Sequence, residues 1–145
     1  MTPDHRVLMM KVETVAEIHV WIAPGGGLEP GESEQEGLRR EIAEETGARN
    51  FCLGPPLWNR KHEFSWNGRT YSQNEVYYLV QADHFEPVMD VAASPDEASA
   101  CRAFHWWSID AIARSVEKFA PHNLHCLLES IAKNGPPDKP IAVGA

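Results

Sequence analysis

The fifteen residues from Ser33 to Gly47 constrain this chain more than any other segment. Ser33, followed three residues later by Glu36, is a capping box that starts a helix at Glu34, and Gly47 after Thr46 supplies a left-handed stop. The helix therefore runs for about three and a half turns. With Glu41 set at zero and an advance of about 100° per residue, Glu45 falls at about +40°, Glu44 at about −60° and Gly37 at about −40°. Three carboxylates share one face, with a residue lacking a side chain one turn above them. Leu38 and Ile42 occupy the adjoining flank, so the acidic face borders the packed face instead of opposing it.

Seven glutamates lie between Gly25 and Gly47, and two physical readings compete for them. A solvated helix face is the plain one, since surface helices often carry glutamates. Against it, carboxylates at i, i+3 and i+4 repel one another, and no lysine stands among them. A divalent cation would convert that repulsion into coordination, because hard oxygen donors in this number suit magnesium or manganese. The run Gly25-Gly26-Gly27 permits close backbone approach, so the Gly25 carbonyl could reach the same ion. Arg40 can reach back to Glu32 or Glu36 and hold the loop to the helix.

The chain has 145 residues, the length of one ordinary domain, and a formal charge of −8. No basic stripe is available to neutralise a phosphate backbone, which argues against a nucleic-acid polymer or an anionic membrane as partner. A small phosphate-bearing molecule stays compatible if a metal supplies the positive charge. Cys52, Cys101 and Cys126 are odd in number and lack the spacing of a zinc or redox pair, which suggests reduced thiols in a cytoplasmic protein. No segment has the apolar length of a membrane span, and residues 1–5 do not read as a signal peptide.

Along the chain, residues 6–12 read as a strand, as do residues 18–23, with Ile18, Val20 and Ile22 on one face and His19 and Trp21 on the other. Residues 51–58 read as a proline-punctuated connection, and Asn67-Gly68 as a hairpin turn. Residues 75–82 are strand-like and expected to be central in a sheet. Residues 83–99 form a polar loop before another extended run, residues 101–107. Ser108 caps a short helix from Ile109, a longer helix begins at Pro121 or His122, and residues 136–145 form an extended tail. Strands interleaved with two or three helices give an α/β or α+β layered domain.

Gly26, Glu32, Arg40-Glu41-Ile42, Glu44-Glu45, Gly47 and the aliphatic Ala48 stand at the offsets of the Nudix box, and the chain resembles the Nudix hydrolase family at every defined position. Residues 102–110, with their paired tryptophans, and the helix leading to Gly135-Pro136-Pro137 also resemble the later half of bacterial members. The resemblance implies one α/β domain over residues 1–145, an α/β/α sandwich around a mixed sheet. It implies a magnesium-dependent hydrolase, with manganese as possible substitute, that cleaves the diphosphate linkage of a nucleoside diphosphate joined to a further group. A nucleotide sugar, ADP-ribose, a dinucleoside polyphosphate or a nucleoside triphosphate falls within that range.

The same resemblance assigns Glu41, Glu44 and Glu45 to the metal, adds the Gly25 carbonyl as a backbone ligand, and makes Glu32 and Arg40 the pair that orients them. It leaves the general base open between a box glutamate and a carboxylate from a distant loop, here Glu97. Family members begin with a strand ahead of residues 6–12, and its apparent absence leads to the expectation of a vacant sheet position or a second subunit. Substrate markers downstream of the box are missing, with Glu63 and Phe64-Ser65-Trp66 in their places. Phe64, Trp66 or Tyr71 could stack a nucleobase, although hairpin aromatics more often pack. A silent nucleotide- or protein-binding module of the same fold, or an enzyme for a non-nucleotide diphosphate, is the alternative.

Overall fold

The computed structural model describes residues 1–13, 18–25, 29–88 and 101–143. Strand β1 spans Arg6–Glu13 and β2 spans His19–Ile22; α1 is Glu34–Thr46; β3 and β4 are Cys52–Trp66 and Arg69–Gln81. Strand β5, Cys101–Ser108, runs into α2, Ile109–Arg114; α3, Leu124–Asn134, and β6, Ile141–Val143, complete the order.

Leu8, Met9 and Met10 are all buried, three consecutive residues that only a strand covered on both faces can hide. Accordingly β1 is the middle strand of an antiparallel sheet ordered β2-β1-β5, with Met10 opposite Ile22 on one side and Phe104 on the other. This corrects the expectation of a vacancy beside residues 6–12. The chain fills both sides of that strand itself, which removes the ground on which a second copy was expected.

The second sheet is mixed, ordered β4-β3-β6, with β3 antiparallel to β4 and parallel to β6. Three expectations change here. Residues 51–58 are mostly strand, because Pro55 and Pro56 sit where the register shifts and the ladder tolerates a missing donor. Strand β4 lies at one end of the sheet order and β3 takes the centre. Part of the tail is also a strand, since Ile141, Ala142 and Val143 pair with Trp58, Asn59 and Arg60.

The turn between β3 and β4 is as the sequence reads, with Asn67 at φ 51° and Gly68 at φ 74°. Trp21, on the face opposite Val20, enters the core with Met9, Trp58, Trp107, Leu124 and Leu128. Glu117 secures it from outside, accepting from Trp21 Nε1 and Lys11 Nζ at 3.1 Å each, which holds the Glu117 carboxyl below the usual range.

Two neighbours on β4 define the layers. Tyr77 packs against the cluster containing Leu124, Leu128 and Ile131 of α3, while the hydroxyl of Tyr78 donates to Glu34 of α1. Consecutive strand residues point to opposite faces, so α1 and α3 flank this sheet from opposite sides. The result is an α/β/α arrangement.

Candidate active site

Helix α1 has the ends its sequence dictates. Ser33 Oγ accepts from the Glu36 amide at 3.2 Å, and Gly47 at φ 79° closes the last turn by donating to the Ala43 carbonyl at 3.0 Å. Between these caps Glu41 is 6% exposed and Glu45 only 2%. The acidic face is thus largely withdrawn from water, and the solvated-surface reading fails for these two residues.

Arg40 organises the cluster. Its Nε and Nη2 form a fork on the two oxygens of Glu32 at 2.8 and 3.0 Å, and its Nη1 donates to Glu41 Oε1 at 2.9 Å and Glu44 Oε2 at 3.2 Å. Glu29 lies a further step out, at 3.7 Å. Of the two partners expected for Arg40, Glu32 is the one engaged. Charge-assisted bonds to Glu32 and then Glu41 raise the guanidinium pKa, and the same fork lowers that of Glu32.

Glu45 takes a different partner, accepting from the Gly25 amide at 3.1 Å. Helix and glycine loop are therefore joined directly at the site, with the Gly25 backbone against a buried carboxylate. Gly25 itself has φ 151°, a conformation that side chains rarely adopt. Gly26 lies outside the described residues, as does Glu97, so the distant-loop base has no structural account.

The donor set suits a hard divalent ion in chemistry: three carboxylates, two of them buried, beside a backbone loop. In the present arrangement Arg40 holds Glu41 and Glu44, and among the described residues no three His, Cys, Asp or Glu side chains converge in a ready coordination geometry. The Arg40 guanidinium supplies neutralising charge to Glu41 and Glu44.

A cavity of about 570 Å³ opens beside the box, within the range of ligand sites. Gly25, Leu38 and Ile42 line it on the box side, residues 73–80 of β4 line it across, and it runs on to core residues such as Met9, Trp58 and Leu128. Tyr78 is the residue sequence reading passed over. Its hydroxyl bond to Glu34 pushes its pKa up to about 12, so it is a neutral donor at physiological pH. Of the hairpin aromatics named from sequence, Tyr71 is exposed on β4 and is not among the cavity residues. The side chains of Phe64 and Trp66 lie outside what is described.

Comparison with known proteins bears on this geometry. The NUDIX domain family matches residues 1–128. The chain belongs to the Nudix family. An RNA pyrophosphohydrolase of Caulobacter vibrioides (strain NA1000 / CB15N) is 30% identical over 130 residues, covering 81% of this chain and 72% of that one. Another, from Rhodopseudomonas palustris (strain HaA2), is 28% identical over 103 residues, 66% of this chain and 62% of its own length, so the match spans less than two thirds of that relative. The Nudix fold is also that of the MutT protein from Methanosarcina mazei Go1, with TM-score 0.58 at 17% identity over 91% of this chain and 86% of that one. Among the described residues no helix is long and apolar enough to cross a membrane.

Proposed function

We propose that this chain is a magnesium-dependent Nudix pyrophosphohydrolase that cleaves the diphosphate linkage of a nucleoside diphosphate derivative. The observation that carries the reading is the pair of buried carboxylates, Glu41 and Glu45, bound to Arg40 and to the Gly25 amide on a single helix face. Burial of two acids a turn apart is unfavourable without a compensating charge. Glu41, Glu44 and Glu45, with the Gly25 carbonyl, would hold the ion, and Mn²⁺ would substitute for Mg²⁺. A bound divalent ion supplies Lewis-acid polarisation of phosphoryl oxygens and acidifies water at neutral pH.

The chain's own residues do the rest. Arg40 keeps Glu32 against the helix and fixes the carboxylates next to it, and Glu45 holds the glycine loop at bonding distance. The proton of the attacking water goes to a carboxylate, either a box glutamate or Glu97. Relatives named RNA pyrophosphohydrolases bring RNA back as a possible substrate, although the charge of −8 argues that any such contact is confined to a terminus near the metal and not spread along the polymer. The exposed thiols of Cys52 and Cys126 suit a reducing cytoplasm.

The test is a substrate panel with Mg²⁺ or Mn²⁺: nucleotide sugars, ADP-ribose, dinucleoside polyphosphates, nucleoside triphosphates, 5′-triphosphorylated RNA and an isoprenoid diphosphate, with products identified by mass. Metal-dependent release of a nucleoside phosphate product is expected. Turnover of the isoprenoid alone, or of nothing, would overturn the reading.

A further inference from the structure

From Arg69 to Asn74 every residue of β4 is exposed, so neither face of the outer part of the β3–β4 ribbon rests on the body of the protein. A two-stranded ribbon uncovered on both faces is marginal in water, and a third strand is one remedy. The two edges of this ribbon differ. On β3, Lys61 and Glu63 are exposed charges, the ordinary guard of a free edge. On β4, the last strand of its sheet, the stretch Thr70-Tyr71-Ser72-Gln73-Asn74 contains no charge, proline or glycine. Its register with β3 runs unbroken from Trp58 opposite Tyr77 to Trp66 opposite Arg69, so no bulge twists this edge aside.

The main chain of Met1 marks which groups face that edge. Its amine donates to the Val80 carbonyl, and its carbonyl accepts from the Ala82 amide at 3.2 Å. Strand alternation then turns the amides and carbonyls of Thr70, Ser72 and Asn74 outward, away from β3. Arg69 and Glu75 stand at equal distances on either side of Ser72. Glu75 accepts from Arg60 Nη1 at 2.9 Å and from the Tyr77 hydroxyl at 3.2 Å, both through Oε2, which leaves its other oxygen for a further cation. Arg69 makes no ion pair among the described residues.

We propose that this edge of β4 pairs with the same edge of a second copy, antiparallel about a two-fold axis at Ser72, which joins the two mixed sheets into one. The pairing uses β4 and not β1, where the chain fills both sides itself. In that register Ser72 exchanges both main-chain bonds with its counterpart and Thr70 pairs with Asn74. Each Arg69 then lies opposite a Glu75, in the class of pair whose side chains approach most closely. A parallel pairing in register would set Arg69 against Arg69, and a slip of two residues would separate the opposite charges. The turn at Asn67-Gly68 of one copy reaches Tyr77 and Val76 of the other, short of the position that Met1 holds. The association is isologous and closes at two copies.

Sedimentation of the full chain over a concentration series tests this. Wild type should show a reversible monomer–dimer equilibrium. Arg69→Glu and Glu75→Arg should each weaken it at least about tenfold, because two attractive pairs become repulsive. An equimolar mixture of these two variants should recover wild-type association, since glutamates at both positions of one chain then face arginines at both positions of the other. Ser72→Pro removes an amide that faces outward, leaves the β3 ladder its donors, and should also abolish the dimer. Melting curves establish that each variant is folded; if Glu75→Arg is not, because Arg60 loses its partner, Arg69→Glu and Ser72→Pro decide. A wild type that stays monomeric throughout, or a dimer that survives either Arg69→Glu or Ser72→Pro unchanged, overturns the proposal, as does a mixture of folded variants that fails to associate.

Discussion

Glu45 combines burial, a negative charge and a bond to a loop amide, and that combination makes its neutralisation informative. In Glu45→Gln the amide oxygen can still accept from Gly25 and helix propensity hardly changes. Turnover should fall by a factor of about a hundred or more, a loss of roughly 3 kcal/mol in transition-state stabilisation, as measured across a Mg²⁺ titration. Melting temperature in chelator should stay equal or rise, since a buried charge has been removed. Glu32 gives the complementary case. The Arg40 fork lowers its pKa below the ordinary 4.5, so its contribution to stability is present above that value and fades as pH falls through the depressed one. Glu32→Gln should therefore be less stable than wild type at neutral pH, with the gap closing under acid, as followed by thermal melts between about pH 7 and pH 2. The sequence made the identity of these residues legible, because the box fixes offsets along one helix. It did not make legible that Arg40 grips Glu41 and Glu44 as well as Glu32, since that depends on where a flexible side chain comes to rest.

Elements defined by short-range rules follow from the sequence most directly. Ser33 and Gly47 delimit α1, Ser108 caps α2 through a bond from the Ala111 amide, and Asn67-Gly68 turns the hairpin, all through contacts within a few residues. Gly47 carries a second load. A Cβ there would meet the Val88 carbonyl at 3.0 Å, in the segment whose amide donates to the Thr46 carbonyl at 2.8 Å. Gly47→Ala should cost about 1–2 kcal/mol for the left-handed conformation alone and lower the melting temperature by several degrees. An unchanged melt would mean that the turn relaxes freely. Where elements depend on distant partners, sequence was a poorer guide. Pro55 and Pro56 read as a connection because proline removes a ladder donor, and only the register shifts in β3 explain their presence in a strand.

At the level of the whole molecule, the layered α/β class was legible from alternating strand and helix signals, while strand order was not. The position of β1 between β2 and β5, of β4 at one end of its sheet and of β6 beside β3 all rest on pairings across long sequence separations. Strand β6 covers the backbone of β3 at Trp58–Arg60, two of whose members are core or near-core residues. Deleting residues 141–145 should bare that edge and produce concentration-dependent self-association together with a lower melting temperature, measurable by sedimentation and calorimetry. A monomer with an unchanged melt would show that the pairing is dispensable. The separation of the site between elements has a different consequence. Every carboxylate assigned to the metal, and the loop amide joined to one of them, belongs to the continuous stretch from Gly25 to Gly47, whereas Tyr78 and Val76 come from a strand some thirty residues further along. The wall of the cavity and the carboxylate helix are thus encoded in separate stretches of the chain, tied to each other by the bond from the Tyr78 hydroxyl to Glu34.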